Sequence, residues 1–288
     1  MNVIWRCIKA NLYKMYHSKL LWIHLLLPLA AAVICNFYFL TASWSELEAV
    51  KLYIQAVAIV FPLMIAVVTT LVYDADAEAG SFCMFHTLAD RKAKGHIGNL
   101  LALLLYGSMA CALAVIGFGL LYRGGTTFLA SASGGCSGSE SALPLSFYVE
   151  ITGLLFGVHI VSYLLQYILC YTFGRGVSLG WGIVGLLLSP LLYLGIGDHI
   201  WKWIPFSYGI RMVSYDFIIK ISDVGILSDF GINTMNLDEY DRYFIEYVQQ
   251  EWRAGAWTIA GVTVLFGIVF YLWGNKWEGK HGENTCSG

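Results

Sequence analysis

The sequence predicts an all-α membrane protein of six transmembrane helices with both termini on one side of the bilayer. Three observations carry that prediction. The 288 residues are 58% hydrophobic, with a mean hydropathy of +0.66. Only 12% are charged, about half the share of a soluble domain. Six apolar runs also reach the roughly 20 residues that a hydrocarbon core of about 30 Å demands at 1.5 Å per helical residue. A net charge of −2 leaves no basic field to draw nucleic acid, which is excluded as a partner.

Residues 1–19 precede the first run and do not span. Ile4, Trp5, Ile8, Leu12, Met15 and Tyr16 fall on one helical arc, with Arg6, Lys9 and Lys14 off it. That spacing predicts an amphipathic helix lying in the membrane interface, its bases towards anionic headgroups. The run behind it is too long for the apolar part of a signal peptide, so an uncleaved anchor is expected. The expected spans are 20–40, 52–73, 97–122, 151–173, 177–197 and 254–273. Pro28, Pro62 and Pro190 lie inside them as candidate kinks. Between the spans stand a charged connector at 74–96, a Gly/Ser-rich loop at 124–146 and a long segment at 198–253. There is no internal repeat, and the whole chain, 1–288, reads as a single transmembrane domain.

Orientation follows from Lys and Arg beside the spans. With the N-terminus inside, Arg6, Lys9, Lys14, Lys19, Arg91, Lys92, Lys94, Arg175, Lys276 and Lys280 are cytoplasmic. Only Lys51 and Arg123 lie in short outer segments. The chain is therefore expected N-in and C-in, with 74–96 cytoplasmic and 198–253 an extracellular helical segment. The latter carries nine acids against five bases and many aromatics.

Several chemistries find no footing. No GxxxxGK[ST] offers a lysine to phosphates, and no HExxH or CxxC offers metal ligands. The seven cysteines are scattered and suit packing better than disulfides. Gly135-Cys136-Ser137-Gly138 spells a nucleophile-like motif, but it sits in the polar loop with no histidine aligned to it. His24 and His159 read as packed, hydrogen-bonded residues. The expected spans hold no Asp, Glu, Lys or Arg to bind a coupling ion. The chain is thus expected to be no enzyme and to hold no cofactor, with its energy coming from a partner.

The connector then becomes informative. It reads DADAEAGSFCMFHTLADRKAKGH, a segment too charged for lipid yet carrying Phe82, Met84, Phe85 and Leu88. A short helix half-buried against a cytosolic groove satisfies both demands. Glu78-Ala79-Gly80-Ser81-Phe82, then Leu88, Arg91 and Lys94, resembles the E-x-G-T/N-F and L-x-x-P-x-(S)-R…K pattern of type-2 ABC exporter permeases. Ala89-Asp90 departs from it where a proline is expected. The stretch 17–24 (HSKLLWIH), Phe61-Pro62-Leu63 and 204–211 (IPFSYGIR) resemble the lantibiotic-immunity branch of that family, the MutG-like permeases.

The resemblance implies a permease subunit of the bacterial cytoplasmic membrane, multi-pass, that expels a lantibiotic from the bilayer and so confers immunity. Its implied partners are ABC ATPase subunits, which bind ATP and Mg, and a second, dissimilar permease. Glu78, Gly80, Phe82, Arg91 and Lys94 would couple to the ATPase. Asp238, Glu239, Tyr243, Glu246 and Trp252 of the acidic segment would face the cationic peptide. The alternatives are a type-2 exporter of another drug or lipid, or a scaffold or sensor subunit. For the orientation, an alkaline phosphatase reporter joined after Cys136 or Asp229 is expected to be active, and one after Phe85 or Lys276 inactive; the reverse pattern would invert the topology.

Overall fold

The structure is a computed structural model that describes residues 3–42, 44–78, 92–132, 143–222 and 239–277. Among them the secondary structure is entirely helical. The elements are α1 (Val3–Tyr16), α2 (Lys19–Thr41), α3 (Glu46–Glu78), α4 (Lys92–Ala132), α5 (Leu145–Phe173), α6 (Arg175–Tyr193), α7 (Tyr208–Ser222) and α8 (Glu239–Lys276). Two 3₁₀ turns, Trp201–Trp203 and Pro205–Ser207, precede α7. Helices α2–α6 and α8 are each long and apolar enough to cross a membrane, as the six runs predicted.

Three of these helices outrun their apolar cores. At 33, 41 and 38 residues, α3, α4 and α8 extend about 50, 62 and 57 Å. Their charged ends continue the helical hydrogen bonding past any hydrocarbon boundary. At the start of α3, Glu46 and Glu48 favour the positive end of the helix dipole. Glu46 also accepts bonds from Tyr148 Oη (2.9 Å) and the Leu143 amide (3.3 Å), tying that end to α5.

Local chemistry sets the breaks. Ser18 caps α2, its Oγ accepting from the Leu20 amide at 3.2 Å, and this separates α1 from α2. Gly174 turns α5 into α6 with a φ of 93°, which favours glycine. Helix α1 meets the protein through one face and leaves part of the expected arc outside. Asn11 and Met15 are buried, whereas Trp5, Tyr13 and Tyr16 are exposed. It lies chiefly along α4, where a Cβ on Gly98 would stand 2.5 Å from Cys7 Cβ.

Residues 198–253, expected as one outer segment, divide in two. Beyond Tyr193 the chain folds back along α6: Ser189 Oγ donates to the Phe206 carbonyl at 2.8 Å, and Phe206 packs on Gly185. Helix α7 then starts at mid-bundle, where Gly209 abuts His159 and Ala58. It runs antiparallel to α5, so that Lys220 meets Glu150 at 2.6 Å. Tyr208, Ile210, Met212, Val213 and Phe217 are buried in the core. Residues 239–253 are the first turns of α8, continuous with the sixth span.

Gly197 marks how tightly the fold-back closes, because a Cβ there would stand 2.2 Å from the Leu192 carbonyl oxygen. Gly197→Ala is expected to lower the melting temperature in nanodiscs by roughly 5 °C. Gly261→Ala, which faces open space, should leave it unchanged.

Candidate functional site

At the bundle end that carries the connector, five helices meet around one carboxylate. Asp76, in the last turn of α3, is only 6% exposed. A carboxylate withdrawn from water needs counter-charge and donors, and Asp76 has both. Lys14 Nζ of α1 pairs with Oδ1, while Asn99 Nδ2 (2.7 Å) and the Tyr171 hydroxyl donate to Oδ2. Asn99 Nδ2 further reaches Tyr167 Oη at 3.2 Å and Tyr171 Oη at 2.9 Å.

The sequence places these groups in register by simple spacing. Tyr167 and Tyr171 are four residues apart on α5, so their rings stack, with centroids 4.2 Å apart and planes at 10°. His96 lies one turn before Asn99 on α4 and bonds through Nδ1 to Tyr167 Oη at 3.1 Å. Trp273 and Trp277 of α8 flank His96 at 5.0 and 4.8 Å between centroids. Trp277 Nε1 donates to the Tyr171 carbonyl (3.1 Å) and Trp273 Nε1 to Thr172 Oγ1 (3.0 Å). Tyr106 Oη bonds the Leu12 carbonyl at 3.3 Å, fastening α4 to α1 again. Among the described residues no group of metal-ligating side chains assembles.

The coupling residues divide. Glu78 ends α3 exposed, and Lys94 stands partly buried in the first turn of α4, so these two flank the connector. Gly80, Phe82 and Arg91 lie outside the described residues. Asp74 and Asp76, both in the charged connector, differ: Asp74 faces outward near Arg175 at 3.8 Å, a mostly exposed pair worth little. Sequence reasoning missed Asp76, Asn99 and Lys14. A visible signal was an asparagine and a histidine in the opening turns of an apolar run.

At the opposite end, three acids of the acidic segment are held in ion pairs. Asp198 pairs with Arg211 (2.6 Å), Glu251 with Lys202 (2.8 Å) and Asp216 with Lys220 (3.2 Å). Arg211 is 4% exposed; its Nη2 and Nε donate to the Leu192 carbonyl at 2.6 and 3.1 Å, a cation closing the C-terminus of α6. Of the expected substrate-facing residues, Tyr243 (71% exposed) and Glu246 project freely from α8. Trp252 is partly buried, and its Nε1 has no partner among the described residues. Glu239 begins α8, and Asp238 lies outside the described residues.

Asp76→Leu strands the Lys14 ammonium and empties three hydrogen bonds, so a marked fall in melting temperature is expected. Lys14→Met in the same chain should restore part of it. Absence of that rescue would show that the pair does not couple. Comparison with protein-family models, with characterised proteins and with solved structures gives no match, so the chain's own residues carry the functional assignment.

Proposed function

We propose that this chain is the permease subunit of an ATP-driven exporter that removes a lantibiotic or similar antimicrobial peptide from the bacterial cell membrane. One observation carries the proposal. The connector 79–91 joins α3 and α4 next to the point where Asp76 binds those two helices to α1 and α5. A load applied to the connector by a partner ATPase would meet a braced joint and move several spans together. The flanking Glu78 and Lys94 suit that docking, and the E-x-G-x-F resemblance supports it. ATP and Mg belong to the partner, and a second permease would complete the membrane pore.

The opposite end supports a cationic, amphipathic substrate. Three acids there are paired internally, and Glu246 stands exposed beside Tyr243, Phe244 and Tyr247 on the projecting part of α8. An acid within an aromatic strip offers charge and apolar area to such a peptide. A type-2 exporter of another amphiphile would use the same geometry.

The deciding experiment is purification of the tagged chain from its native membrane. An ATPase and a second permease should accompany it. Glu78→Lys and Arg91→Glu should each abolish ATPase recovery and peptide tolerance without lowering membrane insertion. Full tolerance in both variants, or a stable complex with no ATPase, would overturn the proposal.

A further inference from the structure

Helix α1 has two faces with different charge to satisfy. Trp5, Lys9, Tyr13 and Tyr16 recur at intervals of four, four and three, so they share one face, and all four are exposed. Lys14 lies on the opposite face, committed to Asp76. The outward face has no such partner. Residues 1–45 hold four bases and no acid. Among the described residues, Arg6, Lys9 and Lys19 enter no ion pair.

Lys9, Tyr13 and Tyr16 border an open groove of about 730 Å³ between α1 and α4. Ala10 and Leu12 line it from α1 and Tyr106 from α4. The small Ala10 side chain leaves room beside Lys9. Tyr106 is held in place by its bond to the Leu12 carbonyl. His17 packs edge-on against the Tyr13 and Tyr16 rings, at 4.5 and 5.1 Å between centroids, and so keeps the two together. Their hydroxyls bond to nothing in the chain among the described residues. One ammonium and two phenols therefore stand at the groove, each able to donate.

The depth of the groove follows from its neighbours. Helix α1 meets α4 at Gly98 and Tyr106, in the first turns of the apolar run that starts at Ile97. Helix α2 enters its own apolar run at Leu20. Hydrocarbon gives way to headgroups at this level, where Trp, Tyr and Lys concentrate. Leu105 of α4 and Trp22 of α2 are exposed and offer apolar surface to acyl chains.

We infer that this groove seats the headgroup of an anionic phospholipid, of the phosphatidylglycerol type. Lys9 Nζ and the Tyr13 and Tyr16 hydroxyls bond its phosphodiester, and its chains pass along α2 and α4. A choline headgroup fits worse, because it adds a cation to a helix that already carries Arg6 and Lys19 unpaired and no acid. The amphipathic pattern of α1 gives only a general attraction to headgroups; the groove gives one seat for one lipid. The site shares only α1 with the Asp76 cluster and does not depend on the exporter reading.

The test places the full chain in phosphatidylcholine nanodiscs with one of two photoactivatable probes. These are phosphatidylglycerol and phosphatidylcholine, each carrying a diazirine at the head end of an acyl chain. Labelling of the peptide holding Lys9–Tyr16 should be roughly fivefold greater with phosphatidylglycerol, the ratio for one cation at an anionic headgroup. Lys9→Gln should remove that excess and Lys9→Arg should keep it. Tyr13→Phe combined with Tyr16→Phe should about halve it. Lys276→Gln alters an exposed lysine at the same end of the bundle but outside the groove, and should leave the excess unchanged. Inorganic phosphate should not compete. Equal labelling by the two probes, an equal loss in Lys276→Gln, or displacement by inorganic phosphate would overturn the assignment.

Discussion

The withdrawal of one carboxylate from water constrains much of this molecule. Asp76 sits within a turn of the end of a long apolar helix, where a bare charge would cost several kcal/mol even after relaxation. Its neighbours are therefore not free to vary. A cation must come from outside α3, and α1 supplies it through Lys14. Neutral donors must come from α4 and α5, and Asn99 and Tyr171 supply those. The aromatic shell of Tyr167, Trp273 and Trp277 then excludes solvent, which strengthens each of these contacts and raises the cost of breaking any one. Helix α1 is thereby held against the bundle.

Arg211 sets an equivalent constraint at the far end. The fold-back of 194–207 exposes the last carbonyls of α6 in a crowded interior, and one guanidinium answers them while pairing with Asp198. Glycines make the geometry feasible. Gly185 admits Phe206, Gly209 admits His159, and Gly255 admits Trp201. The two ends are thus closed by buried polar clusters, while the middle is held by apolar packing, with Tyr53 stacked on Phe118 at 4.0 Å between centroids.

Much of this was legible from the order of residues, for a simple reason. Run length and charge exclusion are local properties, so the six spans read directly from composition. What could not be read is pairing across distance. Asp76 and Lys14 are 62 positions apart, and counting charges beside spans treats each as solvated. The packing of α7 is hidden in the same way: its 15 residues are too few to span and include Arg211, Asp216 and Lys220, whose partners Asp198 and Glu150 lie outside the helix. On α1 the arc divides, with Met15 buried beside Asn11 and Trp5 and Tyr16 exposed, a split that periodicity alone does not give. Glu78 and Lys94 stand at the two roots of the connector.

Helix α8 runs unbroken from the exposed strip at Tyr243 and Glu246 to the tryptophans that brace His96. It holds no proline, and the absence of a break makes it a single stiff body some 57 Å long. Such a rod obliges its two ends to share a free-energy ledger. Whatever favours one tilt of α8 at Glu246 favours the matching arrangement at Trp277, and the converse holds to the same extent. An occupant at the far end and a protein bound at the connector would thus report on one another reciprocally, with no further relay through the bundle.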